Sequence, residues 1–404
     1  MLASWRMLRE ERDLRLLLTA GFVSGLGDWF HTVAVLALIF MLTGSGLVVG
    51  LTLALKVIPR IALSGLAGAV ADRFSRLRIV AACDLLRIPL ALSLLLATSP
   101  DRVWLIYVAT TLLVVCDTFE NPARQAAVPS LVREEHLTAA NGLSQALAGI
   151  VMIAGSALGG LVVAAFGPGV AFAVDAASFL ASGLLILAMR TQVKGAVRAT
   201  APLGELLAAV RGSRMLQALL ALVTLWPLGG GAVNVLLSVY AVRVFHAGSQ
   251  GIGILYMAIG VGLVVGGSLA GPLARRLGRG AVLGYLTEGV CHMLVSQAPT
   301  LPAAALLLTC ATFGAGVGNA CVSTLLMRSV ERAVLGRLFA AISALSSTVM
   351  ALSMLGAGFA VEVWSARLLG LVAGALVAGA GLIGAGCLRW ATRGAVAGET
   401  LAAA

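Results

Sequence analysis

The stretch GLAGAVADRFSRLRIVAACDLLR, residues 65–87, packs Asp72, Arg73, Arg76 and Arg78 into seven residues and then adds Asp84 and Arg87. On either side the chain is almost pure Leu, Ala, Val and Gly. The whole sequence is 60% hydrophobic and only 11% charged, with a mean hydropathy of +1.02. A soluble domain is typically about a quarter charged, and an apolar run of roughly 18 residues is long enough to cross a bilayer. Such runs recur along nearly the entire chain, so most of it belongs in a membrane. A soluble globular enzyme is excluded.

The charged stretch is one of several short clusters separating apolar segments. Twelve segments are predicted, at 14–41, 46–71, 79–98, 102–121, 139–165 and 169–190, then 215–245, 250–274, 281–298, 302–327, 338–361 and 367–390. The polar stretch 191–214 divides them into two sets of six. This gives an N-terminal six-helix bundle at 1–190, a linker at 191–214 and a second bundle at 215–404. The basic N-terminus leads into an apolar run that contains Asp28 and lacks a small-residue cleavage site. It is therefore read as a retained first helix.

The formal charge of +11 raises the question of nucleic acid, and the positions of the basic residues answer it. If the N-terminus is cytoplasmic, 22 of the 28 Lys and Arg fall on its side of the membrane and three (Arg102, Arg243, Arg367) on the other. That bias is the positive-inside pattern. It predicts a multi-pass cell-membrane protein with both termini and the linker cytoplasmic, a bilayer as surroundings and no nucleic-acid partner. The six Cys (83, 116, 291, 310, 321, 387) lie in apolar runs without CxxC spacing and are read as packing residues. No metal site or cofactor is expected.

The opening loop occurs twice. GAVADRFSRLR (68–78) follows the second segment and GPLARRLGRG (271–280) follows the eighth. Aligning Gly68 with Gly271 sets Asp72 on Arg275, Arg73 on Arg276 and Arg76 on Arg279. Two matching sets of six segments are the parallel-repeat arrangement of a secondary transporter.

With these residues in view, the chain resembles the major facilitator superfamily. Gly68-x-x-x-Asp72-Arg73-x-x-Arg76 is similar to that family's signature loop, G-x-x-x-D-R-x-G-R-R, with Ser75 and Leu77 as departures. GLGDWF in the first segment, FENPARQAAVPSLV after the fourth and VDAASFLASGLL in the sixth resemble the branch that holds the enterobactin exporter and the macrolide-efflux proteins. Gly155-Ser156-Ala157-Leu158-Gly159-Gly160 is similar to the antiporter motif G-P-x-x-G-G, with Ser156 in place of proline. The resemblance implies an all-α membrane protein of twelve helices in two six-helix halves. It also implies that Gly155, Gly159 and Gly160 form a seam between the halves that limits leak.

For the charged loop, two readings stand. Arg73, Arg76 and Arg78 could serve only to hold the loop inside, which leaves Asp72 unexplained. The resemblance implies instead a cytoplasmic latch. In that latch, which starts at Gly68, Asp72 would face the N-terminus of the eleventh helix near 336–339, where the helix dipole favours an anion. Arg73 or Arg76 would reach Asp117 or Glu120.

Carboxylates inside a membrane are costly and are functional candidates by default. Asp28 is the best placed, with His31 three residues on, on the same helical face. The pair is the proton-coupling candidate, against a structural role at a helix contact. Asp84 and Arg87 read as an intrahelical ion pair, Asp175 as bonded to neighbouring backbone or hydroxyls, and Glu288 and His292 as an i,i+4 pair. Lys56 and Arg60 are expected at the cavity, either for an anionic substrate group or as counter-charges to Asp28. Asn234 and Asn319 are further cavity candidates.

No HExxH, G-x-S-x-G or GxxxxGK[ST] motif is present, so the chain is expected not to be an enzyme, and ATP does not drive it through this chain. The function predicted is a monomeric, proton-coupled exporter of hydrophobic or amphipathic small molecules of drug, macrolide or siderophore type. Two alternatives stay open: uptake or lipid-type transport of an anionic substrate, and a membrane sensor or assembly subunit.

Overall fold

In hydrocarbon an unpaired backbone N–H or C=O costs several kcal/mol, and a helix closes these bonds within its own segment. The computed structural model describes residues 11–133, 136–191, 210–273, 277–329 and 332–402. Among them every regular element is helical. The first six membrane helices are α1 (Arg12–Thr43), α2 (Gly46–Leu55 continuing as Ile58–Arg73), α3 (Arg76–Ser93), α4 (Val103–Ala127), α5 (Leu137–Phe166) and α6 (Pro168–Leu187). The second six are α7 (Arg214–Val239), α8 (Gly248–Leu273), α9 (Leu277–Gln297), α10 (Leu301–Ser329), α11 (Arg332–Val363) and α12 (Ala366–Ala402). Among the described residues, eleven spans are long and apolar enough to cross a membrane. The twelfth, α9, has the length at 21 residues but is less apolar, because Arg279, Glu288 and His292 interrupt it.

Two differences from the segment boundaries matter for the site. The fourth segment does not end at 121. α4 runs on to Ala127 with Pro122 inside it, so Glu120, Asn121, Arg124 and Gln125 are helical residues. Their polarity reads as a loop in sequence because a helix face that carries buried ion pairs and borders a cavity cannot be told from a turn by composition. The second difference is in α2, which breaks at Lys56–Val57. Pro59 stands in the first turn of Ile58–Arg73 and has no N–H to donate back along the helix. The break turns Lys56 inward.

The chain forms two units, Met1–Arg198 with Tyr240–Met257, and Ala199–Val239 with Ala258–Ala404. In the first, α1 packs on α5 and α6, α3 on α4 and α6, and α2 on α4. Its apolar core joins Leu14, Leu17, Leu77, Val80, Val128 and Ile186. In the second, α7 packs on α11 and α12, and α9 on α10 and α12, around Leu216, Leu219, Tyr285, Cys321 and Leu388. The contacts of α1 with α5 and α6, and of α3 with α4 and α6, thus recur as those of α7 with α11 and α12, and of α9 with α10 and α12.

Both units turn apolar side chains outward. On α3, Leu85 and Leu86 are exposed while Asp84 and Arg87 are 0% and 2% exposed. This inside-out distribution suits a helix whose solvent is lipid.

Candidate functional site: a buried charge network beside two cavities

Three stretches far apart in sequence meet in the first unit: GLGDWF on α1, ENPARQ on α4 and VDAASFLAS on α6. Gly27 makes the approach possible. A Cβ there would lie 2.7 Å from Asp175 Oδ1 and 2.9 Å from Ser178 Cβ, so only glycine lets α1 and α6 come this close.

Arg87 is the centre of the network. Its guanidinium contacts Glu120 Oε2, lies 3.4 Å from Asp117 Oδ1 and 3.9 Å from Asp84 Oδ1, and stacks over Phe179 at 5.1 Å. Arg124 donates to Glu120 Oε1 from Nε at 2.9 Å and lies 3.9 Å from Asp84 Oδ2. Ser182 donates to the same Asp84 oxygen at 2.7 Å. Arg60 donates to Asp117 Oδ2 at 2.7 Å. Burial without partners would cost these charges several kcal/mol each, and the network supplies the partners. The intrahelical Asp84–Arg87 pair expected from sequence is thus one long contact of a four-element network.

Two cavities flank it. The larger, about 610 Å³, is lined by the apolar Leu17, Phe22 and Val151, by the amides Asn121, Gln125 and Asn141, and by Arg87, Glu120 and Arg124 of the network. Its size falls within the roughly 300–1,000 Å³ typical of small-molecule sites. The smaller, about 240 Å³, is lined by His31, Thr32, Lys56, Arg60, Thr110 and Asp175. Asp28, Trp29 and Asp117 line both. The Asp28 carboxyl has no hydrogen bond or ion pair among the described residues, and its residue is exposed to this space.

His31 reaches toward α6. Its Nδ1 lies 3.2 Å from Asp175 Oδ2, and its ring centroid is 5.7 Å from that of Phe172. Asp175 therefore faces a histidine; backbone or hydroxyl donors, expected from sequence, do not reach its carboxyl, and neither oxygen has a well-angled hydrogen bond. Lys56 donates to Thr32 Oγ1 at 3.0 Å.

In the loop between α2 and α3, Arg76 donates to the Ala126 carbonyl at 2.6 Å and Arg73 is exposed. Neither meets Asp117 or Glu120, which are taken by Arg60, Arg87 and Arg124. Burial draws those two carboxylates inward to the helix arginines. Gly68 stands in open space, where a Cβ would meet nothing within 4 Å. The side chains of Asp72 and of 331–337, with residues 274–276, lie outside the described residues.

Gly155 and Gly159 admit Trp29 and Phe30 of α1, with Cβ positions 2.7 and 3.1 Å from them, and Gly160 admits Ser249 and Gly253. In the second unit, Asn234 donates to Gly230 O at 2.9 Å and Asn319 accepts from the Tyr285 hydroxyl at 3.1 Å. Glu288 lies 3.8 Å from His292, as the i,i+4 spacing predicts, and accepts from Trp226 Nε1 at 3.0 Å. All six Cys are free. Among the described residues no group of His, Cys, Asp and Glu could hold a metal ion.

The sequence profile of the Major Facilitator Superfamily matches residues 17–354. An uncharacterized MFS-type transporter, YfiS of Bacillus subtilis (strain 168), is 30% identical over 181 residues, which is 45% of this chain and 43% of that protein. The chain thus matches less than half the length of that relative. Macrolide efflux protein A of Streptococcus pyogenes is 25% identical over 335 residues, covering 79% of this chain and 82% of that protein. Among solved structures, a POT family transporter in complex with 5-aminolevulinic acid matches with a TM-score of 0.76 at 11% identity, over 92% of this chain and 95% of that one. A bacterial homologue of the iron transporter ferroportin in an inward-facing state matches with a TM-score of 0.71 at 17% identity, over 94% and 98%. At these identities the structural likeness shows the fold alone.

Proposed function

The chain belongs to the major facilitator superfamily, and from that premise we propose that it is a proton-coupled exporter of amphipathic small molecules, macrolide-like compounds among them. The observation that carries this reading is Asp28, an unpaired carboxyl on the wall of a 610 Å³ cavity whose lining mixes apolar residues, amides and the charged Arg87, Glu120 and Arg124. Such a cavity suits a molecule with an apolar body, several oxygen atoms and a basic nitrogen. A proton and the basic nitrogen would compete for the same carboxylate, so proton entry would release the substrate. The match to macrolide efflux protein A over most of both chains supports the efflux direction.

The anionic-substrate alternative has less support. Lys56 and Arg60, the cations it needs, are engaged by Thr32 and Asp117. The charge bias of the loops supports cytoplasmic termini and linker, in a cell membrane. In the same reading the loop around Asp72 acts as a cytoplasmic latch, and the two halves 1–190 and 215–404 are the moving bodies of alternating access. Asp72→Ala should slow transport and raise cysteine labelling of the large cavity from the cytoplasmic side; unchanged labelling would remove the latch.

The deciding experiment uses proteoliposomes containing the purified chain, an imposed proton gradient and a labelled macrolide. Gradient-dependent movement of the label is expected, and Asp28→Asn should reduce it to the rate of empty vesicles. Wild-type movement by Asp28→Asn would overturn the coupling role. No movement of any amphipathic probe by the wild-type chain would favour the sensor or assembly alternative.

A further inference from the structure

Four buried polar atoms converge on the smaller cavity without a hydrogen-bond partner among the described residues: His31 Nδ1, both carboxylate oxygens of Asp175, and Thr110 Oγ1. Their residues are 5%, 0% and 0% exposed. An unpaired buried polar group costs about 1–3 kcal/mol, and more if it is charged. Such groups persist around one space when that space receives something they bind.

We propose that the His31–Asp175 pair is a second proton-binding site, separate from Asp28 and closed to the substrate. The proposal rests on the transporter reading above for its use, and on geometry for its existence. Of these three ionisable residues only Asp28 lines both cavities; His31 and Asp175 line the small one alone. A molecule filling the large cavity therefore competes with protons at Asp28 and not at the pair.

The chemistry is a simple proton uptake. With Nδ1–H facing Asp175 Oδ2 across 3.2 Å, the neutral imidazole still has a lone pair on Nε2. A hydronium ion gives its proton to Nε2 and leaves as water, and the resulting imidazolium cancels the Asp175 charge. The contact between a neutral ring and a carboxylate becomes an ion pair.

Beside the pair on the same cavity wall are Asp28 on α1, Lys56 and Arg60 on α2 and Asp117 on α4. Arg87 on α3 reaches that Asp117, and Asp84, Glu120 and Arg124 lie further along the same network; α5 contributes no ionisable side chain over Leu137–Phe166. The lysine ammonium inside the cavity argues against a metal cation as the occupant.

The test needs no substrate. The full chain is reconstituted in lipid vesicles, and pH-difference infrared spectra are recorded for wild type, Asp28→Asn, Asp175→Asn and His31→Gln. Two separable proton-binding signals are expected in wild type. Asp28→Asn should remove one. Asp175→Asn and His31→Gln should each remove the other, an imidazole signal, and leave the Asp28 signal in place. An unchanged spectrum for Asp175→Asn, or displacement of the same signal by sodium in place of choline, would overturn the proposal. Should either variant fail to fold, wild-type chain with ¹⁵N-labelled histidine reads the site directly: a His31 resonance that does not titrate overturns it. Two signals without proton-driven macrolide movement would sink the exporter reading and leave the site standing.

Discussion

Arg87 is a cation with 2% exposure, surrounded by Asp84, Asp117 and Glu120. Removing one partner of a buried pair strands the others, at a cost of about 3–5 kcal/mol. Arg87→Leu should therefore lower the thermal unfolding midpoint in detergent sharply, and a wild-type midpoint would show that the network contributes little. Ser182→Ala takes one hydrogen bond from Asp84 and should cost about 1–3 kcal/mol, read in the same assay. At this scale the sequence is legible for Asp28, because a lone carboxylate in an apolar run has few explanations. It is not legible for Asp175, whose partner His31 lies 144 positions away in the chain.

Helix-to-helix contact depends on where side chains are missing. Gly27→Val should drive α1 from α6, since even a Cβ would meet Asp175 and Ser178, and overpacking of this kind costs about 1–3 kcal/mol or more. Gly142→Ala on α5, where a Cβ meets nothing within 4 Å, is the control and should hold or slightly raise the unfolding midpoint, since Ala favours a helix over Gly. Equal midpoints for both variants would show that the α1–α6 contact is loose. The break in α2 belongs to the same scale: Pro59 announces it in sequence, but the direction in which Lys56 turns depends on Thr32 of α1. The extension of α4 through Pro122 was hidden because one face of that helix borders a cavity, which gives it the composition of a loop.

Across the whole molecule the two units share several helix contacts but not a charge distribution. The first carries the network of Asp84, Arg87, Asp117, Glu120 and Arg124; the second, among the described residues, carries Glu288 with His292 and Trp226. Coupling should follow that asymmetry. Glu288→Gln should keep proton-driven transport, whereas Asp28→Asn should lose it, in the same proteoliposome assay; loss in both would place coupling in both units. The sequence by itself determined the membrane, the twelve helices, the repeat and the superfamily, because length, apolar runs and loop charges are properties of consecutive residues. The tertiary structure alone brings the polar residues of α2, α3, α4 and α6 into one network beside two cavities, and shows Asp28 without a side-chain partner while Asp84, Asp117 and Glu120 are paired. Those are relations between helices, and an ion pair in low dielectric is set by distances of a few ångströms that sequence separation does not encode.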